Sequence, residues 1–150
     1  MNPKQFTGWC LLIARLTLTA TFLMAALPKL QQPGLFAESI AGYRLFTPLS
    51  IAWIAITIPW LELIVGIGLL APQTRRAAGI LIASLLVVFI GLHTSAWLRG
   101  LDIACGCFGE HEANEVSYLW PILRNFTLFV AAVCVLIRDC RHHTSSQRPA

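Results

Sequence analysis

Four stretches of this chain, residues 9–27, 49–71, 77–98 and 117–137, are apolar over about the 20 residues that a helix needs to cross roughly 30 Å of hydrocarbon. Lipid offers no hydrogen bonds, so a spanning segment must satisfy its own backbone, which makes each of these runs a helix. The turn Pro72-Gln73-Thr74-Arg75-Arg76 is so short that the third run must return beside the second. The fold class that follows is an all-α membrane protein, a four-transmembrane-helix antiparallel bundle forming a single integral membrane domain over residues 1–150. Composition agrees: 57% of residues are hydrophobic and 12% charged, against about a quarter charged in soluble domains. Mean hydropathy is +0.70. The formal charge of +4 is carried by residues flanking the runs rather than by a patch interleaved with aromatics, so nucleic acid is excluded as the expected partner.

The first run competes with a signal-peptide reading, because Lys4 precedes it and Ala25 and Ala26 close it. Arg15 interrupts its core, and the later runs need a helix to pair with, so it is read as a retained span. Pro28 and Lys29 open a loop to Pro48. Within it Leu35, Phe36, Ile40, Tyr43 and Leu45 recur at near-helical spacing, which predicts a short amphipathic helix on the membrane surface or a segment packed on the bundle. Ser117 is placed to cap the last helix, with Pro121 tolerable in its first turn.

Orientation follows from the basic residues beside the spans. Lys4, Arg75, Arg76, Arg138, Arg141 and Arg148 fall on one side, and Lys29, Arg44 and Arg99 on the other. The excess predicts a multi-pass protein of a bacterial-type inner membrane with both termini cytoplasmic. The segment between the third and fourth spans is then extracytoplasmic, where disulfides form and persist.

That segment holds Cys105-Gly106-Cys107, the one place where two thiols are neighbours in a glycine-rich stretch outside an apolar run. A disulfide across Gly106 closes a small ring, and such strained rings are easily reduced, so the pair points to exchange rather than stapling. Cys10, Cys134 and Cys140 are weaker signals and are expected to be small apolar fillers.

Charges inside the spans are the other anomaly. Arg15 lies about 8 residues into the first run and Glu62 about 13 into the second, which puts both near mid-bilayer. An isolated charge there is costly, so the pair is expected to meet as an ion pair, either simply fixing helix packing or flooring a substrate or quinone pocket. His93 and Arg124 fall in the outer half beneath the cysteines. A cation there would favour thiolate, and His93 would pass protons; the plainer readings are a packed, hydrogen-bonded histidine and an arginine reaching to the headgroups.

With Pro28-Lys29-Leu30, Pro59-Trp60-Leu61-Glu62-Leu63, Cys105-Gly106-Cys107-Phe108-Gly109 and Arg124-Asn125 in these positions, the chain resembles the MauE branch of the DoxX-like membrane proteins along nearly its whole length. The resemblance implies a four-helix membrane protein tied to thiol-disulfide chemistry. MauE proteins are assigned to maturation of a disulfide-rich methylamine dehydrogenase subunit, and other DoxX-like proteins to a thiosulfate:quinone oxidoreductase. The layout is also similar to quinone-linked disulfide enzymes of the vitamin K epoxide reductase type. Those enzymes use a Cys-x-x-Cys pair plus a second pair on the same side, and this chain has neither.

The leading expectation is therefore a membrane thiol-disulfide redox protein whose Cys105 and Cys107 exchange with a soluble thioredoxin-like or disulfide-rich partner, with Arg15, Glu62, His93 and Arg124 lining a substrate or quinone pocket. A second reading has Cys105, Cys107 and His111, completed by Asp102 or Glu110, holding zinc or a softer metal. A third is a non-catalytic membrane subunit of a larger complex.

Overall fold

The computed structural model describes residues 3–101 and 119–146. Their order is α1 (Pro3–Gln31), α2 (Pro33–Gly42), α3 (Pro48–Gly68), α4 (Arg75–Leu98) and α5 (Leu119–Ser146). α1, α3, α4 and α5 each contain a segment long and apolar enough to cross a membrane. α1 and α4 finish, and α3 and α5 begin, at one end of the bundle. That end is called the loop end below, and the opposite one the terminal end.

The boundary that matters most for the site differs from the sequence reading. Helix one does not stop before Pro28 but runs on to Gln31, and the carbonyl of Pro28 accepts from the amide of Gln32 at 2.9 Å. A proline inside a helix loses the hydrogen bond its nitrogen would have donated and crowds the carbonyl four residues back, and bundle packing tolerates that cost. The extra turn carries Lys29 into the interior. α2 then starts with Pro33 at its first position and ends where Arg44 takes the left-handed conformation (φ 52°). The expected amphipathic helix is present, and it packs on α1 and α3: Ile40 and Tyr43 are buried, whereas Leu35 and Leu45 face outward.

The most extensive packing is of α1 on α3 and of α4 on α5. Between them lies a core of Leu18, Phe22, Val65, Leu69, Ile82, Leu86, Ala132 and Val135. Lipid is as apolar as these side chains, so association depends on close fit and small residues rather than on expelling water. Gly66 meets that need. A Cβ built there would lie 3.4 Å from Cβ of Phe22 and 3.6 Å from the carbonyl oxygen of Thr19. Thr19 fixes the register by donating its hydroxyl to the carbonyl of Gly66 at 3.1 Å. At the terminal end Thr74 closes the α3–α4 turn by donating to the carbonyl of Gly68 at 2.8 Å.

Cys10 and Cys134 lie on the outer surface, so the expectation that they fill gaps in the core does not hold.

The contact at Gly66 yields a graded prediction. Gly66→Ala adds one methyl at ordinary van der Waals range and should change stability little. Gly66→Leu must push α1 from α3 and should cost about 1–3 kcal/mol, read as a lower unfolding midpoint of the detergent-solubilised protein.

Candidate functional site

Inside the loop-end part of the bundle, four charged or amide side chains converge on a small cavity. Lys29 of α1 donates to Oε1 of Glu62 on α3 at 2.6 Å. Their side chains are 1% and 2% exposed, so this is a fully buried ion pair. The rings of Phe36 on α2 and Phe89 on α4 flank the ammonium, with centroids 4.9 and 5.2 Å from Nζ. Aromatic faces attract such a cation more strongly where water is absent. Beside the pair, Arg124 and Asn125 of α5 join Lys29, Glu62, Thr21, Phe22, Ala25, Leu86, Phe89 and Leu128 around a cavity of about 30 Å³. Five helices thus contribute to one polar cluster.

The expected Arg15–Glu62 pair does not form. Helical side chains lean toward the N-terminus of their own helix. α1 and α3 are antiparallel, so Glu62 leans toward the loop end and Arg15 toward the terminal end, away from each other. Lys29 lies beyond the level of Glu62 and leans back onto it. Arg15 instead forms a short ion pair with Asp139, near the end of the α5 span.

His93 is buried but stands one turn beyond the cavity. Its Nδ1 is 2.8 Å from the carbonyl of Phe89. Its ring meets that of Tyr43 edge-on, with centroids 6.2 Å apart. Arg99 donates to the carbonyl of Tyr43 at 2.7 Å, so α2 is tied to the end of α4 at both points. Glu62 and Arg124 are therefore brought together, while His93 and Arg15 are placed apart from them. Cys105, Cys107 and His111, together with Asp102, Glu110 and the capping residue Ser117, lie outside the described residues. Among the described residues no three His, Cys, Asp or Glu side chains gather as a metal site would require.

Lys29, Asn125 and Asp139 were missed as site residues. The signal for Lys29 was the 19, 22, 26, 29 spacing of Thr19, Phe22, Ala26 and Lys29, which continues the buried stripe of α1 through Pro28.

Residues 7–138 match the family model described as methylamine utilisation protein MauE. The chain belongs to the MauE family. It is 32% identical over 122 residues to methylamine utilization protein MauE of Paracoccus denitrificans, a match covering 81% of this chain and 65% of that protein. The corresponding protein of Methylophilus methylotrophus is 30% identical over 128 residues, covering 81% and 67%. That of Methylorubrum extorquens is 31% identical over 111 residues, covering 72% and 58%. The chain thus spans about two thirds of the length of these relatives or less. No solved structure matches it. The stretch matched to the MauE family takes in every member of the cluster and the whole 102–118 segment.

The burial of the ion pair in this MauE-family bundle makes its energetics testable. Lys29→Met or Glu62→Gln alone leaves one charge stranded and should cost about 3–5 kcal/mol. The Lys29→Met/Glu62→Gln double variant should recover most of that loss in thermal unfolding, giving a strongly non-additive cycle.

Proposed function

We propose that this chain serves methylamine utilisation as a membrane thiol-disulfide redox protein, in which Cys105 and Cys107 exchange with a soluble thioredoxin-like or disulfide-rich partner. The observation that carries the reading is the position of the polar cluster. α4 stops at Leu98 and α5 starts at Leu119, so both anchor points of the cysteine-bearing segment lie at the same end of the bundle as Lys29, Glu62, Arg124 and Asn125. Arg124 is about 7.5 Å along α5 from Leu119, the residue that follows the cysteine-bearing segment, and a cation near a thiol favours thiolate.

In the reaction, a thiolate of the pair attacks a sulfur of the partner's disulfide. The partner's bond breaks and a mixed disulfide forms. The second cysteine then attacks the mixed disulfide and releases the partner as a dithiol. Two electrons and two protons pass to the partner as Cys105 and Cys107 are oxidised, and the reverse sequence oxidises the partner instead.

The proposal includes a bacterial-type inner membrane with cytoplasmic termini and kinship with the wider DoxX-like proteins. The burial of Lys29 supports the orientation. Once Lys29 is counted inside the bundle, only Arg44 and Arg99 flank the spans at the loop end, against Lys4, Arg75, Arg76, Arg138, Arg141 and Arg148 at the other. No quinone is assigned to the cavity, whose volume of about 30 Å³ holds a water or two.

Single-cysteine variants provide the test. With Cys105→Ser and Cys107→Ser expressed in membranes, the variant retaining the attacking sulfur should accumulate a mixed disulfide with a soluble protein, seen as a reducible band after thiol trapping. If neither variant captures a partner, and the wild-type pair stays reduced at every accessible potential, the redox role is wrong.

A further inference from the structure

We infer that the cavity in the polar cluster is a binding site for a small monovalent anion of about halide size. Two side chains there keep donor capacity that no described residue uses. Lys29 has three N–H groups, and its one hydrogen bond among the described residues goes to Glu62 Oε1. The flanking rings attract the ammonium's charge but leave two of its N–H groups without an oxygen acceptor. Asn125 is 6% exposed and makes no hydrogen bond among the described residues, although its side chain lines the cavity. Its amide is therefore available to a ligand in the cavity, as donor through Nδ2.

Charge and size select which one. The lining carries two cations, Lys29 and Arg124, and one carboxylate, Glu62, whose Oε1 is already held by Lys29. Arg124 is engaged by other groups as well and contributes mainly through its field. Apolar walls, including Leu86 and Phe89, keep the local dielectric low and strengthen the pull of that field on a negative occupant. A volume of about 30 Å³ takes a halide or a water and is too small for sulfate or phosphate. The inference uses no cysteine, so it stands or falls separately from the redox reading.

The test is thermal unfolding of the purified full-length chain in detergent, titrated with sodium bromide at constant ionic strength made up with sodium gluconate. Bromide should raise the midpoint saturably, by roughly 5 °C or more at a hundredfold excess over Kd, with gluconate alone giving no rise. Asn125→Ala removes the amide without filling the cavity, and should weaken bromide binding about tenfold. Asn125→Asp places a negative charge in the seat and should abolish the response; it serves as the second variant if Asn125→Ala fails to fold. An equal rise in gluconate, or an undiminished response in the Asn125 variants, overturns the site. A midpoint indifferent to bromide means that water alone occupies the cavity, which overturns it as well.

Discussion

The buried pair of Lys29 and Glu62 is the contact on which the loop-end half of this protein depends. Two charges whose side chains are 1% and 2% exposed in a membrane-spanning bundle are tolerable only together, because stranding either one costs several kcal/mol. To bring them together, α1 must continue past Pro28 for another turn. To cover the ammonium, α2 must fold back so that Phe36 lies over it, and α4 must present Phe89 from the other side. One ion pair thereby fixes the relation of four helices. The Arg15–Asp139 pair ties α1 to α5 toward the terminal end, where both side chains keep partial exposure and the cost of breaking the pair is smaller.

The choice of partners comes from direction as much as from depth. A charge on one antiparallel helix can meet a charge on its neighbour only if their side chains lean toward a common level, because each leans toward its own N-terminus. Glu62 and Lys29 satisfy that rule, and Arg15 and Asp139 satisfy it with α5 in place of α3. Arg15 and Glu62 do not, although both fall near mid-bilayer by residue count. Close packing then holds the register that makes these meetings possible. Thr19 grips the backbone at Gly66, and Gly66 lets α1 approach closely enough for the grip to close.

This explains why some of the molecule was legible in its sequence and some was not. Span number, helical class and antiparallel order are properties of apolar length and turn length, and those are written in one dimension. That Glu62 and Arg124 belong to a polar interior was equally legible, since a charge inside an apolar run has to be accommodated somewhere. Their neighbours were harder to read. Pro28 resembles a stop signal, which assigned Lys29 to a loop, and the stripe running from Thr19 through Phe22 and Ala26 outweighs the proline only once three-dimensional packing is known. Asp139 stood at the edge of a polar tail and gave no sign of a partner 124 positions away. Asn125 was hidden beside the more conspicuous Arg124.

Under the proposed thiol-disulfide role, two tasks fall to different parts of the chain. Exchange with a soluble partner falls to residues 102–118, which carry Cys105 and Cys107 between α4 and α5. Tuning a thiol requires charges that stay in place, and those are supplied from within the helices. Arg124 lies about 7.5 Å along α5 from Leu119, less than a Debye length of about 8–10 Å, and low-dielectric packing screens it less than water would. Its field therefore extends to the start of α5. A cationic interior that acts through its field needs no direct contact with the thiols it tunes. The compensating carboxylate of Glu62 is turned toward Lys29, which lets the cluster remain cationic at low cost to the fold.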